Sequence, residues 1–198
     1  MSKSHRNSLP PSGEDTIGPY FPVAFSPTQT ANLRTPYPGT LLHAKGQPII
    51  LTGAVFDTDG NLVPRFLAEF HHPDPAGRSA VQRLRSKGDD PHLGLSTRHY
   101  ADQGHYHLET VMPGASPDRA PHVTLTLYCD GIQRIVTQIF FPDQPGNADD
   151  PLLQSLPVDL QGRLIAQRDG EAGDCLIFRR DIVMRGKSET PFFDDLES

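Results

Sequence analysis

From residue 48 onward, apolar and polar positions alternate with a period of two over several short runs, and this pattern predicts strands. Residues 48–56 are apolar and β-branched and form the first such run. Asp57-Thr58-Asp59-Gly60-Asn61 then supplies turn residues, and Leu62-Val63-Pro64 restarts the chain. Residues 65–71, 105–111 and 122–128 read as further strands. Cys129-Asp130-Gly131 turns the chain, and residues 132–141 form the hairpin partner of the strand before it. A last strand spans residues 176–185.

Helical periodicity is nearly absent. Residues 160–167 form one short helix, with Asp159 placed to cap it. Residues 26–47 and 142–159 read as loops, and 73–103 as a long excursion rich in Pro, Gly, Arg and Asp. An excursion of that length inside a compact domain serves a function or packs against a partner. Short strands with turn punctuation imply a mostly β fold, a β-sandwich with long loops. The expected organisation is a flexible N-terminal arm over 1–15 and one domain over 16–198, ending in an acidic tail from residue 188.

Composition supports this picture. The 198 residues include 20 Pro, which breaks helices and central strands and so favours short strands joined by ordered loops. A formal net charge of −6, with no run of Lys and Arg, argues against a nucleic-acid binder. No apolar run reaches membrane-spanning length. The basic N-terminus has no apolar stretch behind it, so it does not read as a secretory signal. Cys129 and Cys175 are too few for a disulfide framework and read as buried free thiols. A cytoplasmic location is the expectation.

Nine histidines are the most noticeable polar residues. His105 and His107 share one face of a strand, a spacing that suits metal binding and equally suits two solvent-facing rings. His71 and His72 point to opposite faces and make a poor chelating pair. His99 completes the set of candidates. His122 reads as a hydrogen-bonded core histidine as readily as a ligand. Arg78 and Arg119 read as surface ion-pair partners, and Asp149-Asp150 as solvated loop charge. There is no nucleophile elbow, phosphate loop or zinc motif.

The order of short motifs adds more. Thr16-Ile17-Gly18-Pro19-Tyr20, Gly53-Ala54-Val55-Phe56-Asp57 with Val63-Pro64, Glu69-Phe70-His71-His72-Pro73-Asp74 with Gly77-Arg78, Thr110-Val111-Met112-Pro113-Gly114, Ala120-Pro121-His122-Val123 and Glu189-Thr190-Pro191-Phe192-Phe193-Asp194 occur in sequence. This ordered set resembles the intradiol ring-cleavage dioxygenases, from about residue 15 to residue 195.

The resemblance implies a β-sandwich and a non-haem Fe(III) centre held by two Tyr and two His in catalytic members. At the positions matching those ligands this chain has Ser79, Ser116, His122 and Thr124. One imidazole cannot hold ferric iron at useful affinity. The pattern is similar to the alpha-type subunit of the heteromeric, protocatechuate-cleaving branch, which keeps the fold without the ligands. The implied partner is a homologous iron-binding beta-type subunit that carries Fe(III), with the aromatic substrate at the interface. The implied activity is O2-dependent ortho cleavage of a catechol-type aromatic acid to a cis,cis-muconate, with this chain inactive alone.

The resemblance further places Thr16, Gly18 and Tyr20 in the wall of the partner's substrate pocket. The alpha-type pattern has an Arg before the Gly131-Ile132 turn to meet a substrate carboxylate; this chain has Asp130 there, with Arg134 nearby as the replacement candidate. Two other readings stay open: a stand-alone β-sandwich binding module without catalysis, and an enzyme using a new histidine set.

Overall fold

A computed structural model describes residues 31–32, 46–78, 95–101, 103–129 and 133–194, with 31–32, 95–100 and 133 defined by backbone alone. Among the described residues ten strands run in chain order: β1 (Ala31–Asn32), β2 (Pro48–Phe56), β3 (Phe66–His72), β4 (Leu95–Ala101), β5 (His105–Val111), β6 (His122–Cys129), β7 (Gln133–Phe140), β8 (Gln167–Ala172), β9 (Cys175–Arg179) and β10 (Ile182–Val183). They make two sheets. One has the order β1-β5-β2-β9-β8, with β10 also on β2; the other has the order β4-β3-β6-β7. The expected β-sandwich is what the chain forms.

The core follows from the alternation. Ile49, Leu51 and Val55 of β2, with Tyr106 and Leu108 of β5, face Phe66, Ala68 and Phe70 of β3 and Val123, Leu125 and Leu127 of β6. All are at most 1% exposed, so each excludes water from both sheets at once. Cys129 and Cys175 are buried free thiols, as expected.

Five features differ from the sequence expectation. β4 lies inside the expected long excursion. It is the edge strand of its sheet, antiparallel to β3, and an edge tolerates the polar run Leu95-Ser96-Thr97-Arg98-His99 that disguised it. β1 lies in a stretch read as loop. β8 was not anticipated, because its residues are exposed on both faces and show no alternation.

The expected strand over 176–185 is cut in two. β9 and β10 keep one register along β2, but two side chains enter the ladder between them. The Tyr106 hydroxyl donates to the Arg180 carbonyl, and the Ala54 N–H donates to Asp181 Oδ1 at 2.9 Å. Gly53 sits beneath this crossing, where any Cβ would collide with the Arg180 carbonyl.

The expected helix over 160–167 is displaced. Helical turns are α1 (Pro151–Gln154) and α2 (Val158–Gln161), after a 3-10 turn at Pro145–Ala148. Asp159 lies inside the first turn of α2 and caps nothing; Pro157 precedes it. Beyond Gln161, Phe140 pairs with residues 164–166 through two backbone hydrogen bonds, which extends the chain instead of coiling it. Around Phe140, Ala120, Leu153 and Leu164 form a second apolar cluster that covers one end of the outer face of the β3-β6-β7 sheet.

Candidate functional site

Two of the matched ligand positions, His122 and Thr124, lie on that outer face, next to the second cluster. The ladder sets His71 directly opposite Thr124, and Thr124 opposite Gln138. His122, two residues earlier on β6, shares their face and lies diagonal to His71. Ser116 closes a tight turn with Arg119 just before β6, with backbone hydrogen bonds in both directions.

Two buried carboxylates build the loops around these residues. Asp74 is 3% exposed and ties the segment after β3. Its Oδ1 accepts from the Ala76 and Arg78 N–H groups, its Oδ2 from Arg78 Nε at 2.8 Å, and its carbonyl from Gly77 and Gly114. Gly77 has φ +77, and a Cβ there would strike the Ala115 carbonyl; a Cβ on Gly114 would strike that of Pro75. The backbone before Ser79 is thus pressed against the backbone before Ser116.

Asp150 is 1% exposed and does the same on the other side. Its Oδ1 caps α1 through Leu152 and Leu153, and its Oδ2 accepts from Arg119 Nε and the Ala120 N–H. The expectation that Asp149-Asp150 is solvated loop charge fails for Asp150, because a carboxylate with four donors aimed at it is stable without water. Arg119 is likewise no loose surface cation. Its guanidinium also donates to Gln138 Oε1 and stands 6.0 Å from the centre of the Phe140 ring. Gln138 in turn donates to Thr124 Oγ1 at 3.2 Å. Asp150, Arg119, Gln138 and Thr124 therefore form one continuous hydrogen-bonded chain.

His122 is 8% exposed, and its Nδ1–H donates to the Ala120 carbonyl at 2.7 Å. Burial pushes its pKa down to about 4, with Arg119 and His71 adding to the fall against the Ala120 carbonyl and Asp150. Burial also lowers His71. Both rings are neutral at neutral pH, and the hydrogen bond leaves His122 Nε2 as the basic nitrogen.

The fit to iron is poor. A ferric centre is stabilised by anionic oxygen donors such as phenolates. Ser116 and Thr124 offer neutral hydroxyls, and Thr124 Oγ1 is already accepting from Gln138. Among the described residues, no three His, Cys, Asp or Glu side chains assemble as a metal-binding group.

The remaining candidates lie elsewhere. Arg134 is on the same outer face, opposite Tyr128, but six residues along β6 from His122, or roughly 20 Å. It is not part of the His122 site. His72 faces the core, as the alternation requires. Its Nδ1–H donates to the Pro73 carbonyl and Nε2 meets Thr110 Oγ1 at 2.8 Å.

His99 pairs with Ala68, whose side chain belongs to the core, so its position is on the inner face. His105 and His107 line a cavity of about 230 Å3 on the other sheet with Thr52, Gly53, Tyr106 and Arg179. There His107 is bonded to Glu109 and Arg179 to Asp181. Thr16, Gly18, Tyr20 and Ser79 lie outside the described residues, as does the arm over 1–15.

Sequence reasoning missed Asp74, Gln138 and Asp150. Asp150-Pro151 is a helix-start signal, and Asp74-Pro75-Ala76-Gly77 a side-chain-capped turn, so two of the three were legible. Nothing in the sequence marks Gln138.

The profile of a family described as Dioxygenase matches residues 16–186. The protocatechuate 3,4-dioxygenase alpha chain of Burkholderia cepacia is 36% identical over 187 residues, covering 90% of this chain and 94% of that one. The beta chain of the same enzyme and organism is 33% identical over 159 residues, covering 74% and 68%. Among solved structures, an intradiol ring-cleavage dioxygenase from Tetranychus urticae shares the fold with a TM-score of 0.63 at 17% identity, over 88% of this chain and 96% of that one. The profile match over most of the chain and the 36% identical relative show the family: the chain belongs to the intradiol dioxygenase family.

Proposed function

We propose that this chain is the non-iron-binding, alpha-type subunit of a heteromeric intradiol dioxygenase of the protocatechuate 3,4-dioxygenase kind. The carrying observation is the hydrogen-bonded chain from Asp150 through Arg119 and Gln138 to Thr124, which occupies one of the family's ligand positions with a satisfied neutral hydroxyl. The assembly would cleave a catechol-type aromatic acid with O2, ortho to the hydroxyls, to a cis,cis-muconate. Fe(III) would be held by a homologous beta-type partner; the likeness to both chain types of one enzyme supports such a partner.

In this reading the chain shapes the partner's substrate pocket. Thr16, Gly18 and Tyr20 would line it, and Arg134 would meet the substrate carboxylate. A pocket between two chains separates metal electronics from substrate access. Arg134 suits its part because a guanidinium binds a carboxylate through two parallel hydrogen bonds. Its distance from the His122 site supports a substrate outside this chain's own ligand positions. The buried thiols suit a reducing, cytoplasmic compartment.

The test is iron content and ring-cleavage activity of the chain purified alone and after co-expression with a homologue that has both Tyr and both His ligands. Iron and activity confined to a co-purifying complex are expected. Stoichiometric iron in the chain alone would overturn the assignment, and a stable metal-free monomer that ignores the homologue would favour a stand-alone binding module.

A further inference from the structure

We infer that Tyr128 and Glu69 are positioning residues that aim Arg134 at the substrate carboxylate, so that acid specificity depends on three side chains of this subunit. The inference rests on the reading of Arg134 as a pocket residue.

The ladder supplies the geometry. Tyr128 and Arg134 are direct cross-strand partners on the outer face of the β6–β7 pair, close enough for their side chains to interact. Glu69 pairs with Thr126 and is therefore diagonal to Tyr128 on the same face. The Tyr128 hydroxyl donates to Glu69 Oε2 at 3.2 Å, and the Arg134 guanidinium lies against the same phenol.

A phenol has one proton to donate and lone pairs to accept with, so it can bridge a carboxylate and a guanidinium. Burial, and after it Glu69, raise the Tyr128 pKa, so the donor proton is retained at neutral pH.

Arg134 is exposed, and among the described residues no ion pair joins it to a carboxylate of this chain; the same holds for Arg65, Arg163, Arg180 and Arg185, but of these only Arg134 stands opposite Tyr128. Glu69 acts on it through the intervening phenol. That arrangement restrains the arginine while leaving its fork able to take a carboxylate from outside.

The experiment uses the co-expressed complex held anaerobic, with calorimetric Kd values for protocatechuate and for catechol, the same ring without the carboxylate. The readout is the ratio of the two affinities, which a general loss of packing does not change. Tyr128→Phe and Glu69→Gln are each expected to reduce the preference for the acid about three- to tenfold, the scale of one hydrogen bond. Arg134→Gln is expected to reduce it further, and adding Tyr128→Phe to Arg134→Gln to change nothing more, since the two act as one unit.

If Arg134→Gln lowers the ratio while Tyr128→Phe and Glu69→Gln leave it intact, the positioning role is overturned and the pocket role of Arg134 survives. A response to Tyr128→Phe alone removes Glu69 from the role. An unchanged ratio in Arg134→Gln overturns both.

Discussion

Asp150 and Arg119 stand 31 residues apart in the chain and meet as a buried carboxylate and a quarter-exposed guanidinium, with Oδ2 3.0 Å from Nε. The same oxygen accepts the Ala120 N–H, and the other oxygen caps α1. One side chain thus joins the helical turns, the loop before β6 and the outer-face site.

Asp150→Ala should be costly. It removes a helix cap, worth about 1 kcal/mol, and leaves Arg119 and the buried Ala120 N–H unpaired, for a total of roughly 3 kcal/mol. Asp150→Asn keeps acceptor geometry for the cap and should lose less. Urea denaturation of the two variants checks the order, and equal stability of Asp150→Ala and the parent would contradict the bracing role.

Stability should fall as pH drops from about 6.5 towards 4. His72 and His122 have folded pKa values near 4 against an ordinary 6.5, so between those limits the unfolded chain binds more protons than the folded one. The stabilisation is therefore complete above 6.5 and is lost on acidification through the window. His72→Gln or His122→Gln should flatten the slope of unfolding free energy against pH there. An unaltered slope in both variants would mean the rings do not titrate as buried neutral groups.

Glycine substitutions should separate strain from collision. Gly60 has φ +82 with open space around its Cβ position, so Gly60→Ala should cost about 1 kcal/mol, from backbone strain alone. Gly77 has a similar φ, but its Cβ would also meet the Ala115 carbonyl. Gly77→Ala should cost roughly 3 kcal/mol or more, because strain and a backbone collision add. Thermal unfolding of the pair measures the difference.

Thr124→His would set a third imidazole directly opposite His71 and two residues from His122 on one face. Three nitrogen donors on a rigid sheet suit a tetrahedral divalent ion. The variant should gain Co(II) or Zn(II) binding, visible as Co(II) d–d absorption absent from the parent. No gain would show that the three rings do not converge.

In the co-expressed complex, Tyr20→Ala should raise KM or lower kcat without changing iron content. Unchanged kinetics would remove Tyr20 from the pocket wall.

The β3, β5 and β6 strands were legible because their alternation is the alternation of burial. In β6, Val123, Leu125 and Leu127 go inward and Thr124, Thr126 and Tyr128 go outward. The same rule placed His71 and His72 on opposite faces. It failed for β4 and β8, an edge strand and a strand exposed on both sides, where no face is selected for apolarity. It also failed at the break between β9 and β10, since the side chains that enter that ladder come from Tyr106 on β5 and from Asp181 just before β10.

The sequence by itself determined a mostly β fold, because strands follow from residue type and local period; the resemblance of its ordered motifs, not any periodicity, implied the ligand positions and the hydroxyl-bearing residues at three of them. Only the tertiary structure decided that Asp150, Arg119, Gln138 and Thr124 form one chain, that Asp74 locks two backbones together, and that Arg134 stands far from His122 beside Tyr128. Those relations depend on strand register and on contacts between distant segments. Asp150-Pro151 signals a helix start, but the sequence does not show that Arg119 and Ala120, some thirty residues away, meet the other carboxylate oxygen.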